Sequence, residues 1–370
     1  MTSDVAPATF DGFPRSDGRV GVRNRVLVLP SVICSHVVAD RIADRVEGAV
    51  SAPHDHGCGQ IGADEAQTRR TFLGLAANPN VAGTVLVGLG CETIQSDDVA
   101  GELDARDVPV REVAIQDVGG TDECIERGAE IARQLRDEQV RGDDRTPTTL
   151  ADLTVGVVSS DLAETTREHA DPLVGSLVDD VLDAGGRVVV AGSERATAHP
   201  EAVREATAST ARKGIDALLE RHADRVPAAR RVAHEATTLG FEDATAVWGD
   251  RQIEAVIEYG ERFDGDGLAL VDAPSQFEEA TTALAAAGAQ IVVHVTADGQ
   301  PAGHPVVPVL KVTGDAEIAA ALADDIDVDA TTADGSTLRE RLLDVAGGAA
   351  CCAEHHGLDA FAINRVGPSM

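Results

Sequence analysis

Short apolar runs alternate along this chain with longer amphipathic stretches. Val26–Ile33 reads as a buried strand, and behind it His36–Val46 places Val37, Val38, Ile42 and Val46 at helical spacing. Ala49–Pro53 is a shorter strand, Asp64–Ala77 a helix and Val81–Leu89 another strand; Ser96–Ala105, Val110–Ile115 and Asp122–Gln139 continue as helix, strand and helix. Periodicity then lapses over Glu138–Asp152, where Arg141-Gly142-Asp143-Asp144-Arg145-Thr146-Pro147 is the expected linker. Beyond it Leu153–Val158, Arg187–Val190, Leu268–Val271, Gln290–Val295 and Val306–Val312 read as strands. Helices are expected at Leu173–Asp183, Pro200–His222, Arg251–Arg262, Gln276–Ala287, Ala316–Ala323 and Thr337–Ala346. The pattern predicts an α/β protein with two α/β domains, each a mainly parallel sheet covered by helices. The expected boundaries are an arm at 1–25, a first domain at 26–138, a linker at 139–152 and a second domain at 153–370. A chain of 370 residues exceeds the size at which one core usually keeps growing, which agrees with that division.

Charge narrows the choice of partners. The net charge of -32 makes nucleic acid a poor ligand, and positive charge is carried almost wholly by arginine, since Lys213 and Lys311 are the sole lysines. Aromatic residues make up 2% of the chain while its apolar fraction stays ordinary at 43%, so this is not the disordered kind of acidic sequence. The expectation is a soluble, halophilic protein whose self-repulsion is relieved at molar salt, where the Debye length is about 3 Å. No run approaches the ~20 apolar residues of a membrane span. Met1–Thr9 lacks a basic region and an apolar core, so a cytoplasmic location is expected. Six cysteines are too sparse for a disulfide framework in a chain this long.

Three segments concentrate chemistry. Phe13-Pro14-Arg15-Ser16-Asp17-Gly18-Arg19-Val20-Gly21-Val22-Arg23-Asn24 packs three arginines before the first strand, and guanidinium groups suit bidentate recognition of carboxylates. His54-Asp55-His56-Gly57-Cys58-Gly59-Gln60 offers two imidazoles and a thiol within five residues, donors suited to iron or zinc. Gly88-Leu89-Gly90-Cys91-Glu92 ends a strand with two glycines that permit close backbone approach to a ligand. The latter two lie at carboxyl ends of expected strands, where ligands of parallel sheets gather.

Together these motifs resemble the UxaA family, the large catalytic part of altronate and galactarate dehydratases, to which sulfolactate sulfo-lyase large subunits are also similar. The likeness is strongest over residues 10 to 95. It implies a carbon–oxygen lyase acting on a sugar acid or related hydroxy acid, with a divalent metal, Fe2+ before Mn2+, held by His54, His56 and Cys58. Arg15, Arg19, Arg23 and Asn24 would bind substrate, with Gln60 and Gln95 positioning hydroxyl groups. Asp17 would be base or ligand, Cys91 a thiol at a helix start, and Glu92 proton donor or metal ligand. A separate small subunit of the SAF type and an oligomeric assembly are implied as well.

The second half departs from the family. Its Cys-Gly-Gly-Ser-Asp segment becomes Val158-Ser159-Ser160-Asp161, which keeps only the catalytic candidate Asp161 and its serine neighbour. The Thr-Thr-Gly-Arg-Gly turn is replaced by residues 295–303, although Pro308-Val309-Leu310-Lys311-Val312-Thr313-Gly314 persists. Lys311 has two readings, a partner for a bound carboxylate or a structural lysine. His294 and His304 flank the altered turn, as core residues or as a new site. Two alternatives to dehydration therefore stand beside it: hydrolytic or aldol-type carbon–carbon cleavage of a keto-deoxy sugar acid, and a non-catalytic subunit that binds an acidic metabolite.

Overall fold

The computed structural model describes residues 9–139 and 145–367; residues 1–8 of the leader expectation and 140–144 of the linker expectation lie outside the described residues. Strands β1 (Phe10–Pro14) and β2 (Val20–Gly21) precede β3 (Arg25–Pro30), β4 (Ala49–Ser51), β5 (Val81–Gly88) and β6 (Val110–Ala114). The last four form a parallel sheet in the order β4-β3-β5-β6. Strand β7 (Thr146–Thr148) falls in the expected linker and pairs antiparallel with β1, which also pairs with β2. The expected arm and part of the expected linker are thus one small sheet.

Seven strands make the second sheet: β8 (Thr154–Ser159), β9 (Arg187–Val190), β10 (Ile253–Ile257), β11 (Gly267–Val271), β12 (Ile291–Val295), β13 (Val309–Thr313) and β14 (Val328–Asp329). All pair in parallel, in the order β10-β11-β9-β8-β12-β13-β14. Strands β8, β12 and β13 are buried along their whole length and carry mostly valine, with leucine and isoleucine, as expected of strands covered on both faces.

Two expectations fail here. Arg251–Arg262 is not a helix, because Ile253–Ile257 is the edge strand β10. Its apolar residues at 253, 256 and 257 mimic helical spacing, but three of five positions are β-branched and pairing with β11 decides the outcome. The helix expected over Pro200–His222 is split into Pro200–Glu205 and Arg212–His222. Between them Thr207 bridges Ile253, and Ala208 N donates to Ile253 O at 2.9 Å, so the break supplies an edge partner for β10.

The two parallel sheets share a core. Leu27, Leu86 and Phe72 from the first half pack in one buried cluster with Val158, Val189 and Leu284 from the second. The helices Ala63–Ala76 and Phe277–Ala286 meet in that layer. Their approach needs Gly74, where a Cβ would lie 2.6 Å from Ala286 O and 2.8 Å from Gly260 O.

Candidate functional site

At the carboxyl end of the first sheet the chain leaves β5 through Leu89-Gly90-Cys91. Gly90 has φ +112°, and the Glu92 carboxylate folds back over the turn. It accepts hydrogen bonds from Leu89 N (3.1 Å), Gly90 N (2.7 Å), Cys91 N (2.9 Å) and Ser31 Oγ (2.8 Å). Burial alone would raise the Glu92 pKa, but these donors together hold it below the usual carboxylate value. Glu92 is therefore a charged tie between the ends of β3 and β5, with its lone pairs spent within the chain. Gln95 donates to Glu92 O, while Cys91 is exposed.

The next loop is equally committed. His54 Nε2 donates to Pro30 O at 2.7 Å, and its Nδ1 accepts from His56 N at 3.1 Å. His56 Nε2 donates to Ile363 O at 2.9 Å, and its Nδ1 accepts from Gln60 Nε2 at 2.6 Å, with Gln60 Oε1 held by Gly57 N. Burial against Phe72 pushes His54 down to about 4, and burial lowers His56 as well. Neither imidazole has a lone pair left for an ion, and Cys58 is exposed beyond them. Among the described residues no three His, Cys, Asp or Glu side chains converge to hold a single metal ion. The expected ligand set His54, His56 and Cys58 does not fit a mononuclear metal in this arrangement.

The arginine motif lies at the opposite end of the sheet. Arg25 opens β3 beside Asn80, whereas Pro30 closes it beside His54, a separation of about 17 Å along the strand. Arg15 donates to Pro79 O at 2.5 Å, to Asn24 Oδ1 at 2.9 Å and to Arg23 O at 3.1 Å. Arg19 pairs with Asp17 and donates to Ala77 O, and Asp17 also pairs with Arg262. Arg23 forms a bidentate pair with Glu354 at 2.7–2.8 Å and donates to Val22, Val345 and Ala349 carbonyls. The expected grouping of Arg15, Asp17, Arg19, Arg23 and Asn24 with His54, Cys91 and Glu92 is not what the fold brings together. These guanidinium groups grip backbone carbonyls and carboxylates of the chain itself, around Asn78-Pro79-Asn80 and the C-terminal region.

A cleft of about 450 Å³ opens at the carboxyl ends of β9, β10 and β11, against the helix Ala63–Ala76 and the tail at Asn364–Gly367. Glu194, Glu258 and Asp272 each lie within a few residues of a strand end, and Arg70, Arg221, Arg225 and Arg365 bring positive charge to the walls. Asp272 accepts from His222 Nε2 at 2.6 Å and from Arg221 Nε at 2.9 Å. Burial would raise the Asp272 pKa, but His222 and Arg221 together hold it below the ordinary range. Glu194 accepts from Ala229 N, Ser275 N and Ser275 Oγ at 3.0–3.2 Å, yet burial still raises its proton affinity. Arg225 is exposed and has no carboxylate partner among the described residues. Wider grooves of about 540 and 620 Å³ lie around Asp179, Asp250 and Gly267, away from the carboxyl ends where such folds bind ligands.

None of the cleft's charged residues was among the sequence candidates. Asp272 directly follows a legible strand, which is a signal for it, but nothing in the sequence links it to His222 fifty positions earlier. Asp161 accepts from Ala163 N (3.0 Å), Thr166 Oγ1 (2.7 Å) and Ala297 N (2.7 Å), joining the turns that follow β8 and β12. Lys311 is fully buried in β13, does not line the cleft, and its Nζ has no hydrogen-bond partner among the described residues. Burial lowers its pKa against the opposing pull of Asp325 and Asp327. His294 meets Ser160 Oγ at 2.8 Å and the Phe277 ring at 4.4 Å, and His304 lies against Phe361; burial pushes both down to about 3, the behaviour of neutral core histidines.

Comparison with known proteins adds the family context. Residues 12–139 match the family model described as D-galactarate dehydratase/Altronate hydrolase, second domain, and residues 151–369 match D-galactarate/Altronate dehydratase, C-terminal. The chain is 30% identical to altronate dehydratase of Escherichia coli (strain K12), over 89% of this chain and 70% of that enzyme. It is 27% identical to altronate dehydratase of Bacillus subtilis (strain 168), over 84% of this chain and 66% of that enzyme. The chain thus spans about two thirds of the altronate dehydratases it matches. It is 26% identical to (2R)-sulfolactate sulfo-lyase subunit beta of Chromohalobacter salexigens, over 97% of both chains. No helix among the described residues is long and apolar enough to cross a membrane.

Proposed function

The chain belongs to the D-galactarate/altronate dehydratase family, and from that premise we propose that it is a lyase removing water from a sugar acid or related hydroxy acid. The observation that carries the reading is the arginine-walled cleft with the His222–Asp272 pair at the strand ends. In this reading Arg225 and Arg221 anchor the carboxylate and stabilise the enediolate that forms beside it. His222, oriented by Asp272, takes the proton from the carbon next to the carboxylate. The neighbouring hydroxyl leaves as water with a proton from Glu194, whose burial favours its protonated form. The enol product tautomerises to a 2-keto-3-deoxy acid, and solvent returns the His222 proton to Glu194.

A second reading rests on the sulfo-lyase beta subunit, which corresponds to this chain over nearly its whole length. There the same proton abstraction would expel sulfite instead of hydroxide. The word subunit in that relative's name also supports a separate partner chain here, and activity is best assayed with it. The test is turnover on a panel of sugar acids and sulfolactate, in high salt, with and without a small subunit of the SAF type. A 2-keto-3-deoxy acid supports dehydration, sulfite the second reading, and two carbon fragments would rule out both. His222→Ala should lower kcat by roughly 10²–10⁴-fold with the fold retained.

A further inference from the structure

Three of the six cysteines are exposed free thiols outside the cleft, and all three stand at one end of one sheet. Cys34 follows β3, Cys58 lies in the loop after β4, and Cys91 follows β5, three strands adjacent in the order β4-β3-β5. Their loops are tied to one another. Ile33 N donates to His56 O at 2.9 Å, Thr93 N donates to Gly57 O at 3.2 Å, and Ser31 Oγ donates to Glu92 at 2.8 Å. Gly57 packs so closely on the first loop that a Cβ there would lie 2.1 Å from Ser31 O. Each cysteine is thus one or two residues from a bond that fixes its loop against a neighbour.

We propose that Cys34, Cys58 and Cys91 hold an iron–sulfur cluster of the cubane type, leaving one iron without a protein ligand. The donor set is soft thiolate, which selects iron–sulfur chemistry over hard ions. A single ion needs donors that converge on one point, and these thiols do not converge in that way. A cluster places a different iron under each thiolate, so its cysteines stand further apart on separate loops. Gly57 and Gly59 flank Cys58 and Gly90 precedes Cys91, all at positive φ, so two of the three thiols sit in tight glycine turns. Ile33, beside Cys34, and Ile61, three residues after Cys58, are exposed apolar side chains in the same two loops. The Asp55–Arg365 ion pair joins the Cys58 loop to the cleft wall. The inference concerns binding and stands without the lyase reading, since its readout is not turnover.

The experiment is anaerobic reconstitution of the full chain in high salt with ferrous iron, sulfide and a thiol reductant. About four irons and four acid-labile sulfides per chain are expected, with a broad visible thiolate-to-iron absorption and an EPR signal on one-electron reduction. Cys34→Ser, Cys58→Ser and Cys91→Ser should each lose most of the sulfide, whereas Cys352→Ser retains it. As a measurement that needs no variant, alkylation mapped by mass spectrometry should modify the three thiols in the cluster-free chain and spare all three after reconstitution. Iron bound without sulfide, or equal alkylation before and after reconstitution, would overturn the proposal.

Discussion

Glu354 receives three guanidinium hydrogen bonds, two from Arg23 and one from Arg25, and all three side chains are largely shielded from water. Removing one partner of such a group leaves buried charge unpaired, so Glu354→Ala should lower stability by roughly 2–4 kcal/mol, read as a shift in denaturation midpoint. An unchanged midpoint would mean that Arg23 is free to serve a ligand. The buried histidines set the response to acid. His54, at about 4, and His294 and His304, at about 3, are neutral when folded but titrate near 6.5 when unfolded. The unfolded chain therefore binds more protons between these limits, and stability is full above pH 6.5 and falls progressively down to about pH 3. Melting followed from pH 7.5 to 4 should show this decline, and His304→Gln should flatten it. Residue chemistry was legible in the sequence only as far as type. The arginines, histidines and Glu92 were visible as charged or coordinating groups, but their partners, such as Ile363 O and Glu354, come from the far end of the chain. No local spacing encodes them.

Helix and strand order was legible wherever burial is two-sided. The apolar runs at β5, β8 and β12 admit one reading, and the helices behind them carry clear periodicity. At the sheet edge the signal fails, because β10 is half-exposed and its apolar spacing fits helix and strand alike. The short strands β1, β2 and β7 were hidden for a related reason: β1 and β7 pair across more than a hundred residues, and all three carry few apolar side chains. Helix packing gives a sharper test. Gly74→Ala gains about 1 kcal/mol of helix propensity but forces a Cβ onto two carbonyl oxygens. The contact should prevail, with a net loss of about 1–3 kcal/mol in thermal or denaturant unfolding. A stabilised variant would show that the two helices separate easily.

Across the whole molecule, 63 acidic residues face 31 basic ones. Self-repulsion on that scale should make the folded state depend on screening, so the melting temperature should rise steeply from dilute buffer to molar KCl. A melting temperature independent of salt would remove the halophilic reading. The shared layer of Leu27, Phe72 and Leu86 with Val158, Val189 and Leu284 has a consequence for how the gene can be divided. A break between residues 139 and 145 coincides with the seam between the two matched family segments, yet each piece made alone would carry a bare oily face. Produced together from two transcripts, the pieces should find each other and copurify as a one-to-one complementing pair, so that this seam serves as a split site for a reporter of co-expression.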